Sequence, residues 1–258
     1  MSFQSYSLSF PDTPTLFPQL LRSVRWETFS KNRQIAIIHR PSDTNNDTPL
    51  VRTTTAYQTP SQPFSPLHDT IISSIREVSG IENLTLNHAM MEIYDSRYTT
   101  MGFHTDQALD LAPDSYICLF SSYEHGADEH ARVLTVKNKE SGEEFVVELS
   151  HHSVVIFSTE ANRAHVHKIE AKDLPRDYDN RWMGVTLRLA KSFVRFVDNV
   201  PVLVSGGEEV GELMMATDRE RGEFYRHKGM ENRESGFEWP GVNYTISPSD
   251  RMAVTDEL

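Results

Sequence analysis

The apolar positions of the first 85 residues predict two amphipathic helices with a strand between them. Apolar residues recur at helical intervals in segment 13–24. A stronger helical pattern follows Ser65, which is a favourable N-cap, and it ends at Gly80, a residue typical of helix C-termini. The strand is predicted at 34–39, and the polar, proline-containing segments 41–49 and 58–65 are predicted to be loops.

From residue 86 onward the pattern changes to short apolar runs that are separated by polar turns. Eight predicted strands within about 110 residues are typical of an antiparallel sandwich or barrel. The runs are 86–94, 115–121, 132–136, 144–149, 153–158, 165–169, 183–189 and 194–197.

The chain after residue 198 lacks such runs, and we predict a tail without strands. Within it, Thr217 followed by Glu220 forms a capping-box pattern, which predicts a charged helix to about Lys228. We therefore expect one domain of class α+β, mainly β with flanking helices. Its three segments are an N-terminal helical or lid region (1–85), a β-rich core (86–198) and a C-terminal extension packed on or over the core (199–258).

Composition narrows the functional classes. The chain has 258 residues, which suits one large domain, and it has no run of 18 apolar residues, so no membrane span is expected. Its single cysteine, Cys118, excludes an internal disulfide and any multi-cysteine metal site. Residues 1–10 lack the pattern of a signal peptide, so we expect a cytoplasmic protein.

The charge distribution argues against a nucleic-acid partner. The formal net charge is −12, from 25 basic and 37 acidic residues. The first 90 residues are balanced, so the acidic excess lies in the last two-thirds of the chain. Nucleic-acid binding usually needs a basic surface, because neutralised phosphates supply most of the affinity. These counts still leave room for a local basic face in the first third.

The candidate chemistry centres on a His-x-Asp triplet, His104-Thr105-Asp106. In a chain of this composition, one such triplet is expected by chance, so alone it is consistent with a polar turn. The surrounding residues are more specific. Segment 86–94, which ends in Tyr94, and segment 101–106 together resemble the core of AlkB-like iron(II)/2-oxoglutarate dioxygenases. In that family an Asn, a short strand ending in Tyr, and a turn precede Gly-x-His-x-Asp.

Three further blocks resemble the same family in the same order. Segment 153–157 is similar to its Gly-Ser-Leu-Leu-x-Met strand, with Asn162 and His167 matching its Asn-x-x-x-x-His ending. Segment 185–188 resembles its Leu-Thr-Phe-Arg, and segments 51–52 and 56–57 resemble its Pro-Arg and Tyr-Gly elements. Each block is weak alone, but the likeness runs in order over just over half of the chain.

The resemblance implies a double-stranded β-helix (jelly-roll) core and an oxygenase that uses Fe(II), 2-oxoglutarate and O₂. It assigns the metal to His104, Asp106 and His167. Two imidazoles and one carboxylate form a facial triad, which leaves positions on iron open for a bidentate 2-oxo acid and O₂. His165 is the alternative third ligand, because it is two residues from His167, but the family has an aromatic residue at its position.

The same resemblance assigns 2-oxoglutarate to Tyr94 and Arg188. Arg188 is expected to hold the distal carboxylate through a bidentate pair, with Arg181 as the alternative. Three positions depart from the family, which has Asn, Arg and Asn where this chain has Glu92, Trp182 and Gly184. A carboxylate at Glu92 would repel the dianionic cosubstrate unless it is protonated or paired, so we expect an altered pocket or a different cosubstrate.

Substrate contacts are expected at Tyr57 and Glu92. Nucleobase-demethylating relatives have an acid two or three residues after the metal Asp, where this chain has Ala108 and Leu109, although Asp110 follows. This departure and the negative charge favour a small polar molecule or another non-nucleic substrate, which is hydroxylated or oxidatively demethylated. The alternatives are a demethylase of methylated bases in nucleic acid and a non-catalytic metal-binding relative. The sequence leaves the oligomeric state open.

Overall fold

The computed structural model describes residues 3–10, 13–30, 32–42, 46–127, 129–172, 174–175 and 177–254. Its α-helices are α1 (Thr13–Arg22), α2 (Pro66–Ser79), α3 (Thr159–Ala164) and α4 (Asp218–Glu231), and short 3-10 helices span 108–110 and 248–251. Its strands are β1 (Gln4–Ser7), β2 (Glu27–Ser30), β3 (Arg33–His39), β4 (Thr48–Leu50), β5 (Gln62–Pro63), β6 (His88–Tyr94), β7 (Tyr116–Tyr123), β8 (Val133–Asn138), β9 (Glu144–Glu148), β10 (Ser153–Ser158), β11 (His165–Glu170), β12 (Trp182–Arg188), β13 (Ser192–Val197), β14 (Val200–Ser205), β15 (Glu208–Glu212), β16 (Met214–Met215) and β17 (Tyr244–Thr245).

Two mainly antiparallel sheets enclose the core of a jelly roll. The main sheet has the order β1-β10-β7-β12-β6-β3-β2, with β5 paired to β3, and the smaller sheet has the order β11-β8-β9. Leu119 and Phe157 of the main sheet pack with Leu134 and Ile169 of the smaller sheet in one apolar cluster. The predicted fold class, mainly β with flanking helices, is confirmed.

Alternation along the main-sheet strands directs polar side chains into the jelly roll. On β6, Met91 and Ile93 belong to the apolar cluster shared with α1 and α2. Successive side chains of a strand point to opposite faces, so Glu92 and Tyr94 face the smaller sheet. On β12 the same alternation places Arg188 on this inner face. The sequence period of two therefore decides which residues can reach a site between the sheets.

The two predicted N-terminal helices, α1 and α2, are confirmed, and they cover the outer face of the main sheet. The helix α2 follows its N-cap Ser65 and ends at Gly80, whose φ of 59° is the left-handed conformation that glycine adopts readily. Ile71 and Ile75 of α2 pack in the cluster on that face. Within the described part of the chain, no helix is both long and apolar enough to cross a membrane.

The prediction of a tail without strands after residue 198 was wrong. The strands β13 and β14 form a hairpin, and its two turn residues, Asp198 and Asn199, have φ values of 49° and 65°. Asp and Asn tolerate this conformation, and two such residues suit a tight hairpin turn. The hairpin crosses the predicted boundary at 198 and joins β15 and β4 in a four-stranded sheet. The predicted capping box at Thr217 and Glu220 is confirmed at the start of α4.

Two predicted loops contain short strands. Thr48–Leu50 forms β4 beside β13, and Gln62–Pro63 forms β5 beside β3. Residues 43–45 of the first loop lie outside the described residues. Proline is tolerated in such edge strands because its missing N–H need not face a neighbour. Polar composition therefore did not distinguish these edge strands from loops.

Candidate functional site

His104, Asp106 and His167 come together between the sheets. The backbones of His104 and His167 form an isolated antiparallel bridge, with N···O distances of 2.9 and 2.7 Å. One ligand atom from each of the three side chains lies within 4.8 Å of the others. The Nε2 atoms of His167 and His104 lie 3.6 and 4.0 Å from Asp106 Oδ1. The structure thus brings the three residues singled out from the sequence into one group that could hold a metal ion.

Asp106 is held through both its side chain and its backbone. Arg188 donates from Nε and Nη2 to Asp106 Oδ2, at 2.8 and 2.7 Å. Asn162 of α3 accepts from the Asp106 N–H at 2.9 Å and donates to the Asp106 carbonyl at 2.7 Å. These contacts leave Oδ1 facing the two imidazoles.

The electrostatic surroundings favour the ligand forms that bind a metal. Burial alone would raise the pKa of Asp106, but Arg188 and the two imidazoles outweigh it and hold the pKa well below its usual range. Burial, followed by the neighbouring His167, lowers the pKa of His104 to about 3. His104 Nδ1 lies 3.1 Å from the Gly102 carbonyl, so a proton on Nδ1 leaves Nε2 as the metal-facing atom. Metal binding requires these forms, an ionised carboxylate and a neutral imidazole.

His165, the alternative third ligand, points away from this group. Its Nδ1 lies 2.8 Å from the carbonyl of Ala161 in α3. Its ring packs edge-on against Phe3, with 5.6 Å between ring centroids. Because His165 is also the C-cap of α3, its ring turns back toward that helix instead of following the face of β11. Of the two histidines, the structure brings His167 to the group.

Two adjoining chambers meet at the candidate metal group, and His104, Asp106 and Arg188 line both of them. The inner chamber has an apolar wall and two further charged residues. Its wall includes Leu119, Leu134, Phe157 and Ile169, and the charged residues are Arg33 and Glu92. The outer chamber, here called the mouth, is more polar. Its lining includes Thr53, Thr54, Thr55, Tyr57, Gln107, Lys228 and Asn232. The two chambers therefore share one metal group and differ in polarity.

Glu92 is paired with Arg33, a residue that sequence reasoning missed. Arg33 donates from Nε and Nη2 to Glu92 Oε1, at 2.8 and 2.5 Å. The Tyr94 hydroxyl donates to the same oxygen at 2.9 Å. Burial, followed by Glu92, raises the pKa of Tyr94 well above its usual value, so this hydroxyl keeps its proton. The ion pair offsets the repulsion that an isolated carboxylate would exert on a dianionic ligand.

Trp182 and Gly184, two of the departures from the family pattern, are coupled. A Cβ on Gly184 would lie 2.2 Å from Trp182 Cη2, so the indole covers the space of the missing side chain. Trp182 also packs against Tyr94, with ring centroids 4.9 Å apart. Glycine therefore makes room for the indole, and the two departures form one structural change.

The other predicted site residues fall in different places. Arg181 lines neither chamber, because it donates two hydrogen bonds of 2.6 Å to Glu124. Tyr57 is buried and lines the mouth, where its hydroxyl lies 3.3 Å from Thr53 Oγ1 and from Met90 Sδ. The structure therefore brings Tyr57 to the site but does not bring Arg181 there.

The C-terminal end of α4 holds the backbone on both sides of the metal-group aspartate. Asn232 Oδ1 accepts from the Thr105 N–H at 3.0 Å, and Glu231 Oε1 accepts from the Ala108 N–H at 2.8 Å. Lys228 donates to the Thr105 carbonyl and, at 2.7 Å, to Glu231 Oε2. The capping box predicted the helix, but no local pattern indicated that its far end supports the site.

Asp110 is engaged elsewhere and fully buried. Its carboxylate accepts from the Arg52 N–H, Nε and Nη2, at 2.8, 2.9 and 2.7 Å. Arg52 Nη1 also donates to the carbonyls of Val242 and Tyr244. This acid therefore joins three parts of the chain and is not exposed to a substrate in the mouth.

Comparison with known proteins agrees with this geometry. Residues 12–188 match the family model of the 2OG-Fe(II) oxygenase superfamily, which covers more than half of the chain and includes all three residues of the candidate metal group. A comparison with curated proteins gives no significant match. The chain belongs to the 2OG-Fe(II) oxygenase superfamily, and it is an oxygenase that uses Fe(II) and 2-oxoglutarate.

Proposed function

We propose that the protein binds one Fe(II) through His104, Asp106 and His167 and oxidises a C–H bond of its substrate. The observation that carries this proposal is the convergence of two imidazoles and one carboxylate within 4.8 Å. That donor set suits Fe(II) and leaves open coordination positions for a 2-oxo acid and O₂. The bound iron supplies the oxygen chemistry, which no side chain can perform.

Tyr94 and Arg188 are the proposed 2-oxoglutarate residues. Arg188 is buried at the inner chamber, and its Nη1 has no hydrogen-bond partner among the described residues. The Nε and Nη2 donors of Arg188 bind Asp106, so its guanidinium lies next to the candidate metal group. Arg188 would therefore contact the part of the cosubstrate that lies near the metal. Arg181 remains the predicted alternative for binding 2-oxoglutarate, but its pairing with Glu124 does not support that role.

Membership of the AlkB-like branch is part of the same proposal. Its support is the order of the four sequence blocks and the position of Asn162, whose amide makes two hydrogen bonds to the backbone of Asp106. In this proposal, segment 86–198 supplies the metal group, and segment 1–85 contributes residues 53–55 and Tyr57 to its mouth. Segment 199–258 supports the group through α4.

The proposed substrate is a small polar molecule or another non-nucleic group. The Gln107 side chain lines the mouth, and neither atom of its buried amide has a hydrogen-bond partner within the described chain. A buried amide without partners is unfavourable, and a polar group of a bound substrate would satisfy it. The nearest acid after Asp106 is Asp110, and its pairing with Arg52 supports a substrate other than a methylated base.

Titration with fluorescent single- and double-stranded oligonucleotides, plain and methylated, tests the substrate class. We expect no micromolar binding at low or moderate salt, because the sequence shows no obvious cluster of Lys and Arg to neutralise phosphates. Micromolar binding that weakens steeply with salt, together with formaldehyde release from a methylated base, would establish the nucleic-acid alternative. Bound Fe(II) without any consumption of 2-oxoglutarate would favour a non-catalytic relative.

A further inference from the structure

Two arginines line the described inner chamber, and they have different partners. Arg188 directs Nε and Nη2 to Asp106. Arg33 is bonded to Glu92 instead, and the side chains of this pair are 14% and 5% exposed. When 2-oxoglutarate chelates a metal through one carboxylate and its keto oxygen, its second carboxylate lies at the other end of the molecule. Of the two arginines, Arg33 is the one that is not bonded to Asp106.

The position that carries an arginine in the AlkB-like pattern cannot supply this cation. Trp182 stands there, and its indole is 1% exposed and packed against Tyr94. Arg181 next to it is engaged with Glu124. The strand β3, in contrast, places Arg33 directly opposite Tyr94 of β6. An arginine from a neighbouring strand therefore lies beside the tyrosine that is proposed to hold the cosubstrate.

We propose that Arg33 binds the distal carboxylate of 2-oxoglutarate. This inference rests on the proposed function. A guanidinium has five N–H donors, more than the two that Glu92 occupies, so Arg33 can hold Glu92 and a second carboxylate together. The charges also match: the pairs Arg33–Glu92 and Arg188–Asp106 are each neutral, so a dianionic cosubstrate balances one Fe(II).

The same geometry gives Glu92 a defined effect on binding. Glu92 orients Arg33 before the cosubstrate enters. Its carboxylate, however, binds the same guanidinium that would bind the distal carboxylate. Like charges that share one partner weaken each other's binding. Removing the Glu92 charge while keeping an acceptor for Tyr94 should therefore strengthen the binding of 2-oxoglutarate and leave unchanged a 2-oxo acid that has no distal carboxylate.

Calorimetric titration of the Mn(II)-loaded protein tests this assignment without turnover. The probes are 2-oxoglutarate and 2-oxobutanoate, which lacks the distal carboxylate. Wild type is expected to bind 2-oxoglutarate at least about tenfold more tightly. Arg33→Met should bring the ratio close to one with unchanged affinity for 2-oxobutanoate. Arg97→Met is the matched control, because its side chain is 71% exposed, and it should keep the wild-type ratio.

Glu92→Gln provides an independent measurement, which also serves if Arg33→Met does not fold. It should bind 2-oxoglutarate more tightly than wild type. A wild-type ratio in Arg33→Met, or weaker 2-oxoglutarate binding in Glu92→Gln, would overturn the proposal. Loss of the ratio in Arg181→Met would instead place the distal carboxylate on Arg181. If wild type binds both acids equally, only the Arg33 assignment fails; if it binds neither, the proposed function fails as well.

Discussion

At the scale of single residues, the two oxygens of Asp106 have different partners. Oδ2 accepts from Arg188, whereas Oδ1 lies 3.6 Å from His167 Nε2 and 4.0 Å from His104 Nε2. Arg188 keeps the carboxylate ionised and fixes its orientation. Partners of this kind commonly orient the ligands of a metal and tune its affinity.

His167→Ala should abolish stoichiometric Fe(II) binding, because two of three donors do not complete a facial triad. His165→Ala is the matched control and should retain most of the binding, since its ring packs against Phe3. Anaerobic equilibrium dialysis of both variants gives the comparison. The reverse result would show that the third ligand is His165.

Gly184→Ala should destabilise the protein by about 1–3 kcal/mol, the usual effect of overpacking a core. Its Cβ would lie 2.2 Å from the Trp182 ring, so the indole must leave its place beside Tyr94. Gly222→Ala is the control, because Gly222 lies within α4 and its added Cβ would meet no atom within 4 Å apart from its chain neighbours and the backbone of its own helix. Urea unfolding curves should show a lower midpoint for the first variant alone; equal midpoints would contradict the coupling.

At the scale of elements, local patterns predicted α1, α2, α4 and the eight strands between residues 86 and 197, but they missed α3 and did not show how elements meet. The helix α2 has its own signals at Ser65 and Gly80. The strand β15 spans Glu208–Glu212 and is mostly exposed, so it lacks the apolar alternation that identifies a buried strand. The candidate metal group could be proposed from the sequence because His104 and Asp106 form a local motif and the family resemblance added His167. Arg33 was not, because its contact with Glu92 joins residues 59 positions apart.

The docking of α4 on the metal-group loop makes Asn232 a positioning residue. Asn232→Ala removes the acceptor of the Thr105 N–H and should weaken metal binding roughly tenfold, as loss of a supporting contact commonly does. Asn232→Asp keeps the oxygen acceptor and should restore most of the affinity. Mn(II) titration of the two variants measures the effect. Equal weakening in both would contradict a role through this hydrogen bond.

At the scale of the whole molecule, buried polar contacts join the three segments. Arg52 of the first segment binds Asp110 of the core and the carbonyls of Val242 and Tyr244 in the last. Because this ion pair is almost fully buried, removal of one partner would leave an uncompensated charge, which is strongly destabilising. The C-terminal extension is thus tied to the core at this pair and at α4.

The stability of the fold should depend on pH through its buried histidines. Burial lowers the pKa of His39 to about 4 from 6.5, so between these values the unfolded chain binds a proton that the folded chain does not. The free energy of unfolding therefore rises with pH across this window and falls as pH decreases. His39→Gln should reduce the slope by up to about 1.4 kcal/mol per pH unit. Urea unfolding at several pH values from about 4.5 to about 6.5, which lie inside this window, measures the slope. An unchanged slope in His39→Gln would contradict the assignment.

The central claim is that His104, Asp106 and His167 hold an iron that takes 2-oxoglutarate. Anaerobic titration of the Fe(II)-loaded protein with 2-oxoglutarate, followed by visible absorption, tests it most directly. We expect a weak metal-to-ligand band that saturates at one iron per chain in wild type and in His165→Ala, and that is absent in His167→Ala. A band of wild-type intensity in His167→Ala, or no band in wild type with iron bound, would contradict the claim.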